Sequence, residues 1–217
     1  MRARALRRAT SAAGISTRIS DACELLGAAH LDAFFAEYVC PDEHLEDVRD
    51  ALLAASSDPR VRAVGASTHS VSAASALLDL HEAEDDPLLD AIMLRVGMAH
   101  QVHETASTLE RAAALGVPVV GFCSTRWNGL LEEAPELGLG APPSAAECVG
   151  WSLGSQGVEY VVHSSRNQRE LTDVLVPAAA LADTLCGGSG ERERWSRYGD
   201  AWCEARGTSD GFEADAA

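Results

Sequence analysis

Short apolar runs alternate with longer amphipathic stretches along most of this chain. Each apolar run is short enough for a buried strand, and the runs predict strands at 31–39, 61–67, 90–96, 117–123 and 158–164. The amphipathic stretches predict helices at 18–29, 41–58, 70–85, 104–116, 143–155 and 168–181. Strands that alternate with helices at intervals of roughly 25–40 residues indicate a parallel α/β sheet.

Local signals mark the ends of several predicted helices. Ser20 or Asp21 is expected near the start of the first helix, and Pro41 with its following acids opens the second. Gly116 is a suitable C-terminal cap for the fourth helix, because glycine tolerates the left-handed conformation common there. Trp195 and Trp202 are seven residues apart, which predicts one face of a docking helix.

The two ends of the chain differ in composition from its middle. The start is rich in arginine, and the C-terminal region opens with the flexible sequence GGSG before a short helix predicted near 191–204. We therefore expect a basic helical extension, an α/β domain and a flexible acidic tail, at residues 1–17, 18–186 and 187–217.

The predicted sheet fits a barrel better than a doubly wound fold. The first strand ends in EYVCPDE, which lacks the glycine-rich phosphate turn of a nucleotide-binding sheet. The chain has 217 residues, and a full eight-stranded barrel typically has about 250. Barrel enzymes carry their functional groups at the carboxyl ends of the strands. Here those ends carry Glu37, Ser67, Thr68, His69, Arg95, Ser124, Thr125, Arg126, Trp127, His163, Ser164, Ser165 and Arg166.

Charge and composition exclude several classes of function. A net charge of −16 disfavours nucleic acids and anionic membrane surfaces as partners. The chain has 17 arginines and no lysine, so its own residues cannot form a Schiff base or use a lysine ammonium. No stretch is apolar enough for a membrane helix, and the six cysteines are dispersed without metal-binding spacing. We expect a cytoplasmic protein without a metal ion.

Five segments resemble, in order and with similar spacing, parts of the aldo-keto reductase superfamily. They are LDAFFAEYV, VRAVGASTHS, MLRVGMAHQ, VVGFCSTRWNGLL and the stretch from PPSAAECVGW to SSRNQRELTDVL. The resemblance spans about residues 18–176 and implies an α/β, partial (β/α) TIM-type barrel. Its five or so parallel strands, alternating with helices, correspond to strands four to eight of the family's barrel. It therefore implies an N-terminally truncated member.

The resemblance also implies that the family's catalytic tetrad is missing. Its aspartate, tyrosine and lysine come from the first three strands, and there is no room for those strands before Leu31. The residue that matches the family's histidine is Glu37. We therefore expect that the chain is not a conventional stand-alone NADPH-dependent carbonyl reductase.

The positions that hold the nicotinamide cofactor in the family are partly retained. Ser67 keeps one of the three carboxamide contacts, whereas Thr68 and Met93 replace the other two, and Phe122 matches the ring that stacks on the nicotinamide. Val174 replaces an asparagine that contacts adenine. The residues that match the phosphate contacts are Ser124, Arg126, Ser165, Arg166 and Asn167. We expect either no cofactor or NADP(H).

These residues favour a remodelled enzyme that performs acid–base chemistry on a small molecule, such as dehydration, isomerisation or cyclisation in secondary metabolism. Glu37, His69 and His163 are the candidate proton carriers, with Arg95 and Trp127 as substrate contacts. Glu37 could instead form a structural ion pair with Arg95 or Arg126.

Two alternatives to that enzyme stay open. One is an NADP-dependent oxidoreductase completed by a partner chain, and the other is a catalytically inactive interaction or regulatory subunit. In each case we expect a homodimer or a partner protein to cover the open sheet edges, because unpaired strands expose backbone hydrogen-bonding groups.

Overall fold

The computed structural model describes residues 12–36, 45–84, 86–100 and 102–207. Five parallel strands form one sheet in the order β1-β2-β3-β4-β5. They are Phe34–Ala36 (β1), Val64–Thr68 (β2), Ala91–Arg95 (β3), Val119–Phe122 (β4) and Val158–Val161 (β5). This confirms the predicted α/β class and the predicted set of strands.

Seven helices alternate with and follow these strands in the described residues. They are Ala12–Leu26 (α1), Leu45–Ser56 (α2), Val71–Ala83 (α3), Val102–Ala114 (α4), Ala145–Leu153 (α5), Gln168–Thr184 (α6) and Gly190–Arg206 (α7). Two short 3₁₀ helices, Gly129–Leu131 and Pro135–Leu137, lie between β4 and α5. Helix α1 begins well before Ser20 and Asp21, so those residues are interior to it and the predicted start was wrong.

The chain divides into two compact units, residues 1–94 with 111–119 and residues 95–110 with 120–217. In the first unit, β1 pairs with β2 and β2 with β3. Gly65 of β2 is required by this packing, because a Cβ there would lie 2.5 Å from the Ala91 carbonyl oxygen and 2.7 Å from the Phe35 ring. Leu52 of α2 and Ile92 of β3 are fully buried in this unit.

Strand β1 is shorter and less buried than the sequence predicted. The apolar run from Leu31 predicts a buried strand, but Leu31 makes only an isolated bridge to Val61 and the following Asp32 is exposed. The three residues of β1 are half-buried. An outermost strand has a neighbour on one side only, which limits its burial. The rest of the predicted strand, including Glu37, lies outside the described residues.

In the second unit, α7 is a long, well-packed helix with three buried aromatic side chains, Trp195, Tyr198 and Trp202. The predicted shared face of Trp195 and Trp202 is therefore confirmed. Gly199, on the same helix, approaches the Met98 backbone so closely that a Cβ there would lie 1.8 Å from the Met98 carbonyl oxygen. Only glycine allows this approach.

Helices α5 and α6 also pack closely in the second unit. A Cβ at Gly150 would lie 2.8 Å from the Leu181 Cβ and 3.1 Å from the Ala178 carbonyl oxygen. Val149 and Val174 are buried between these helices. Across the described ranges, none of the helices is both long and apolar enough to span a membrane.

Candidate functional site

The loop after β4 has an unusual backbone. Cys123, Arg126, Trp127 and Asn128 all have positive φ angles, of 57°, 51°, 52° and 70°. The left-handed conformation costs a non-glycine residue roughly 1–3 kcal/mol, so the surrounding structure must hold this loop. Strained backbone of this kind occurs preferentially at functional sites.

Hydrogen bonds of the Ser124 side chain stabilise the loop after β4. Its hydroxyl is buried, lies 3.4 Å from the Val96 carbonyl oxygen and accepts a hydrogen bond of 2.9 Å from Ser152 of α5. The Ser152 hydroxyl also lies 2.8 Å from the same Val96 oxygen. Ser124, a candidate phosphate contact, is therefore part of an internal hydrogen-bond network.

The guanidinium of Arg126 is covered by the end of α7. Its Nη2 donates a 3.3 Å hydrogen bond to the Gly207 carbonyl oxygen, and its Cζ lies 5.2 Å from the Trp202 ring centre. Only 6% of Arg126 is exposed. A second candidate phosphate contact is thus engaged by the chain itself.

A groove of about 880 Å³ lies beside the carboxyl end of β5 in the second unit. His163, Ser164 and Arg166 line it from the segment after β5, and Asn128 lines it from the loop after β4. The groove also contacts four acidic residues, Glu132, Glu147, Glu170 and Asp173. The polar ends of two neighbouring strands therefore meet in one concave surface, as in barrel enzymes.

Arg166 and Asn167 are held by the first turn of α6. Glu170 accepts a hydrogen bond of 3.0 Å from the Arg166 backbone N–H and pairs with its guanidinium at 2.9 Å. Asn167 caps the helix, because its Oδ1 accepts from the Glu170 backbone N–H at 2.9 Å. Both hydrogen bonds from Arg166 lower the pKa of Glu170, and the bond from the backbone N–H has the larger effect.

Acidic side chains outnumber arginines in the lining of the groove. Arg166 is offset by Glu170, and Glu132, Glu147 and Asp173 add negative charge nearby. Carboxylates carry the same sign of charge as phosphates, and phosphates bind best to arginine forks that have no acidic partner. Ser165 keeps one possible contact, since its buried Oγ has no partner among the described residues.

Other predicted residues lie outside this groove. In the first unit, Ser67 is half-buried, and the Oγ1 of the buried Thr68 accepts a 3.0 Å hydrogen bond from the Ser70 backbone N–H. His69 is half-buried, and desolvation lowers its pKa, which favours the neutral imidazole. In the second unit, Arg95 and Phe122 are buried and Trp127 is 51% exposed.

The four groove carboxylates were missed by reasoning from the sequence. One local signal was present: Ser144 and Glu147 form a capping box, whose spacing is readable in the sequence. Glu170 and Asp173 are three residues apart on α6 and so share a helix face.

Desolvation raises the pKa of Cys123 to about 11, which disfavours its use as a nucleophile.

Comparison with solved structures identifies the fold. Aldo-keto reductase AKR11C1 from Bacillus halodurans matches in its holo form with a TM-score of 0.67 and 14% identity, covering 92% of this chain and 72% of that one. The apo form of the same enzyme matches with a TM-score of 0.66, 15% identity and the same coverage. The sequence matches no protein-family model and no curated protein.

The chain therefore has the fold of an aldo-keto reductase over most of its length, and the predicted aldo-keto-reductase-like, partial-barrel architecture is confirmed. At this level of identity, the likeness establishes the fold alone.

Proposed function

We propose that this protein is a small-molecule enzyme on an aldo-keto reductase scaffold that performs acid–base chemistry without a nicotinamide cofactor. The observation that carries the proposal is the groove, where His163 stands among carboxylates and the one lining arginine is paired with Glu170. An imidazole both accepts and donates protons, which suits isomerisation, dehydration or cyclisation. Such reactions occur in secondary metabolism, the setting we propose.

The simplest reaction of this class is isomerisation of a carbonyl compound. His163 removes a proton from the carbon beside the carbonyl, and the resulting imidazolium returns a proton to another atom of the same substrate. Electrons stay within the substrate, so no redox partner is needed. Asn128 and Ser164 line the groove and supply hydrogen bonds that orient the substrate.

The other predicted residues are not part of the proposed reaction. Glu37 and His69 remain predicted proton carriers and Arg95 and Trp127 predicted substrate contacts, but His69, Arg95 and Trp127 lie outside the groove of His163. Ser67 and Phe122 are inherited from the cofactor site of the scaffold. The alternative of an NADP-dependent oxidoreductase completed by a partner is weaker, because Arg126 and Arg166 would first have to leave Trp202 and Glu170.

A second candidate function is an interaction subunit, and one observation favours it. Large apolar side chains of β5, α6 and the segment between them are exposed: Tyr160 is 64% exposed, Val162 54%, Leu175 54% and Val176 73%. Exposed apolar side chains mark interaction sites in soluble proteins where they form a contiguous patch. A homodimer or a partner protein that covers it is compatible with either function.

Proton exchange in D₂O tests the enzyme proposal before the substrate is known. The protein is incubated with a panel of small ketones, and deuterium incorporation beside each carbonyl is followed by NMR. We expect at least one ketone to exchange faster with the protein than without it. His163→Gln should lose most of that enhancement, about 100-fold for a general base, and His30→Gln, outside the groove, should retain it.

The cofactor part of the proposal is tested separately by titrating NADPH and NADP⁺ against the fluorescence of the four tryptophans. We expect no saturable change in the micromolar range. Micromolar binding together with reduction of carbonyl compounds would overturn the proposal.

A further inference from the structure

A second cavity, of about 270 Å³, lies in the same unit and shares no lining residue with the groove of His163. One wall is apolar and includes Val96, Leu109 and the indole of Trp151. Ser155, Gln156 and Arg192 supply polar side chains to the lining of the same cavity. A cavity with an apolar body and a few polar groups has the composition of a small-molecule site.

Arg192, from the first turn of α7, is the charged group of this cavity. Its guanidinium carbon lies 4.0 Å from the centre of the Trp151 ring. Its Nη1 donates to the carbonyl oxygens of Leu185 and Trp151, at 2.6 and 2.9 Å, and its Nη2 donates to the Ser155 Oγ at 2.7 Å. These contacts fix the guanidinium plane against the cavity wall.

All three acceptors are neutral. Within the described ranges, Arg192 forms no ion pair with a carboxylate, although the protein as a whole carries a net charge of −16. Burial lowers the pKa of Arg192, as expected for a desolvated cation without an acidic partner. The nearest acid of the lining, Glu110, is exposed and therefore screened by solvent.

The guanidinium of Arg192 also has N–H donors that these three hydrogen bonds do not use. It has five N–H groups, and its three hydrogen bonds leave two, including the one on Nε. Two adjacent guanidinium N–H groups match the two oxygens of a carboxylate. In addition, the buried Nε1 of Trp151 has no hydrogen-bond acceptor in the described part of the chain.

We propose that this cavity binds a small organic acid whose carboxylate pairs with Arg192 and whose apolar body lies against Trp151, Leu109 and Val96. The volume suits a body the size of one benzene ring, because a cavity of about 150 Å³ holds benzene. It is too small for a nucleotide. The site is independent of the acid–base function proposed for the His163 groove.

Benzoate is a suitable probe for the whole protein, and benzamide is its neutral counterpart of nearly the same shape. Isothermal titration calorimetry should give a dissociation constant of about 1 mM or tighter for benzoate. Benzamide should bind at least about tenfold more weakly, since it lacks the charge that Arg192 recognises. Inorganic phosphate should not compete, because it has no apolar body.

Two variants show whether a loss of benzoate binding comes from a change in the cavity or from unfolding of the protein. Arg192→Gln removes the cation and should abolish benzoate binding, but it also breaks contacts to α5 and α6. Ala106→Leu fills the cavity from an exposed position of α4 and leaves Arg192 intact, so it should abolish binding in a folded protein. Arg169→Gln, a change at a 91% exposed side chain on α6, is the matched control and should bind normally.

Loss of binding in Ala106→Leu with an unchanged melting temperature, together with normal binding in Arg169→Gln, supports the proposal. It is overturned if wild-type protein shows no binding heat with benzoate, if benzamide binds equally well, or if folded Ala106→Leu still binds benzoate.

Discussion

The carboxylate of Glu170 holds Arg166 from two sides, by accepting its backbone N–H at 3.0 Å and pairing with its guanidinium at 2.9 Å. By resemblance, Arg166 is a candidate phosphate contact, so this pair bears directly on cofactor binding. An arginine that is already neutralised contributes little to the binding of an anion. The ion pair therefore offsets part of the positive charge that a phosphate would meet at Arg166.

Removing the charge of Glu170 should restore some affinity for phosphate. We expect Glu170→Gln to bind adenosine 2′-phosphate up to about tenfold more tightly than the wild type, because the Arg166 fork becomes available. Calorimetric titration measures the difference. The double variant Arg166→Gln/Glu170→Gln is the control and should lose the gain; a gain that survives in it would show that Arg166 is not the contact.

The ion pair of Asp58 and Arg60 should make stability depend on pH in the acid range. Arg60 donates to both carboxylate oxygens of Asp58, at 2.9 and 2.6 Å, and these bonds lower the pKa of Asp58 to about 2. Because the folded pKa lies below the unfolded value of about 4, the stabilisation is present above pH 4 and is lost as the pH falls towards 2.

Urea unfolding of wild type and Asp58→Asn between pH 2 and 7 measures this effect. We expect the free energy of unfolding of the wild type to exceed that of Asp58→Asn by a constant amount above about pH 5. This difference should shrink towards zero near pH 2. Arg60→Gln removes the other partner and should show the same loss. A difference that is independent of pH contradicts the assignment.

The close approach of Gly199 to Met98 makes α7 sensitive to a single methyl group. Gly199→Ala should lower the free energy of unfolding by about 3 kcal/mol, because the helix must move away from the Met98 carbonyl. Gly190→Ala, in the first turn of the same helix, is the control: no atom lies within 4 Å of its Cβ position, so we expect a change within about 0.5 kcal/mol. Equal effects at the two positions would contradict this packing.

The exposed apolar side chains of β5 and α6 predict self-association. If a second copy covers them, light scattering should give the mass of a dimer, and Leu175→Arg should shift it to a monomer because a charge in an apolar interface is costly. Leu139→Arg, at a 41% exposed leucine outside these elements, should leave the mass unchanged. A wild-type monomer would rule out the homodimer.

The parts of the fold that the sequence determined are those set by local patterns. Apolar runs located all five strands, since a buried strand needs consecutive apolar residues whatever its neighbours are. Gly116 was predicted as a helix cap and has a φ of 70°, and the seven-residue spacing of Trp195 and Trp202 predicted their shared buried face. His163 was predicted at the end of the last strand, and it lines the groove.

Tertiary structure decided what the candidate polar residues contact. Ser124 bonds to Ser152, which is 28 positions away, and Arg126 bonds to Gly207, which is 81 positions away. The sequence showed an arginine in a phosphate-binding motif but not the tryptophan that covers it. Secondary structure follows from local propensity and periodicity, whereas the partners of a charged side chain depend on which distant segments the fold brings to it.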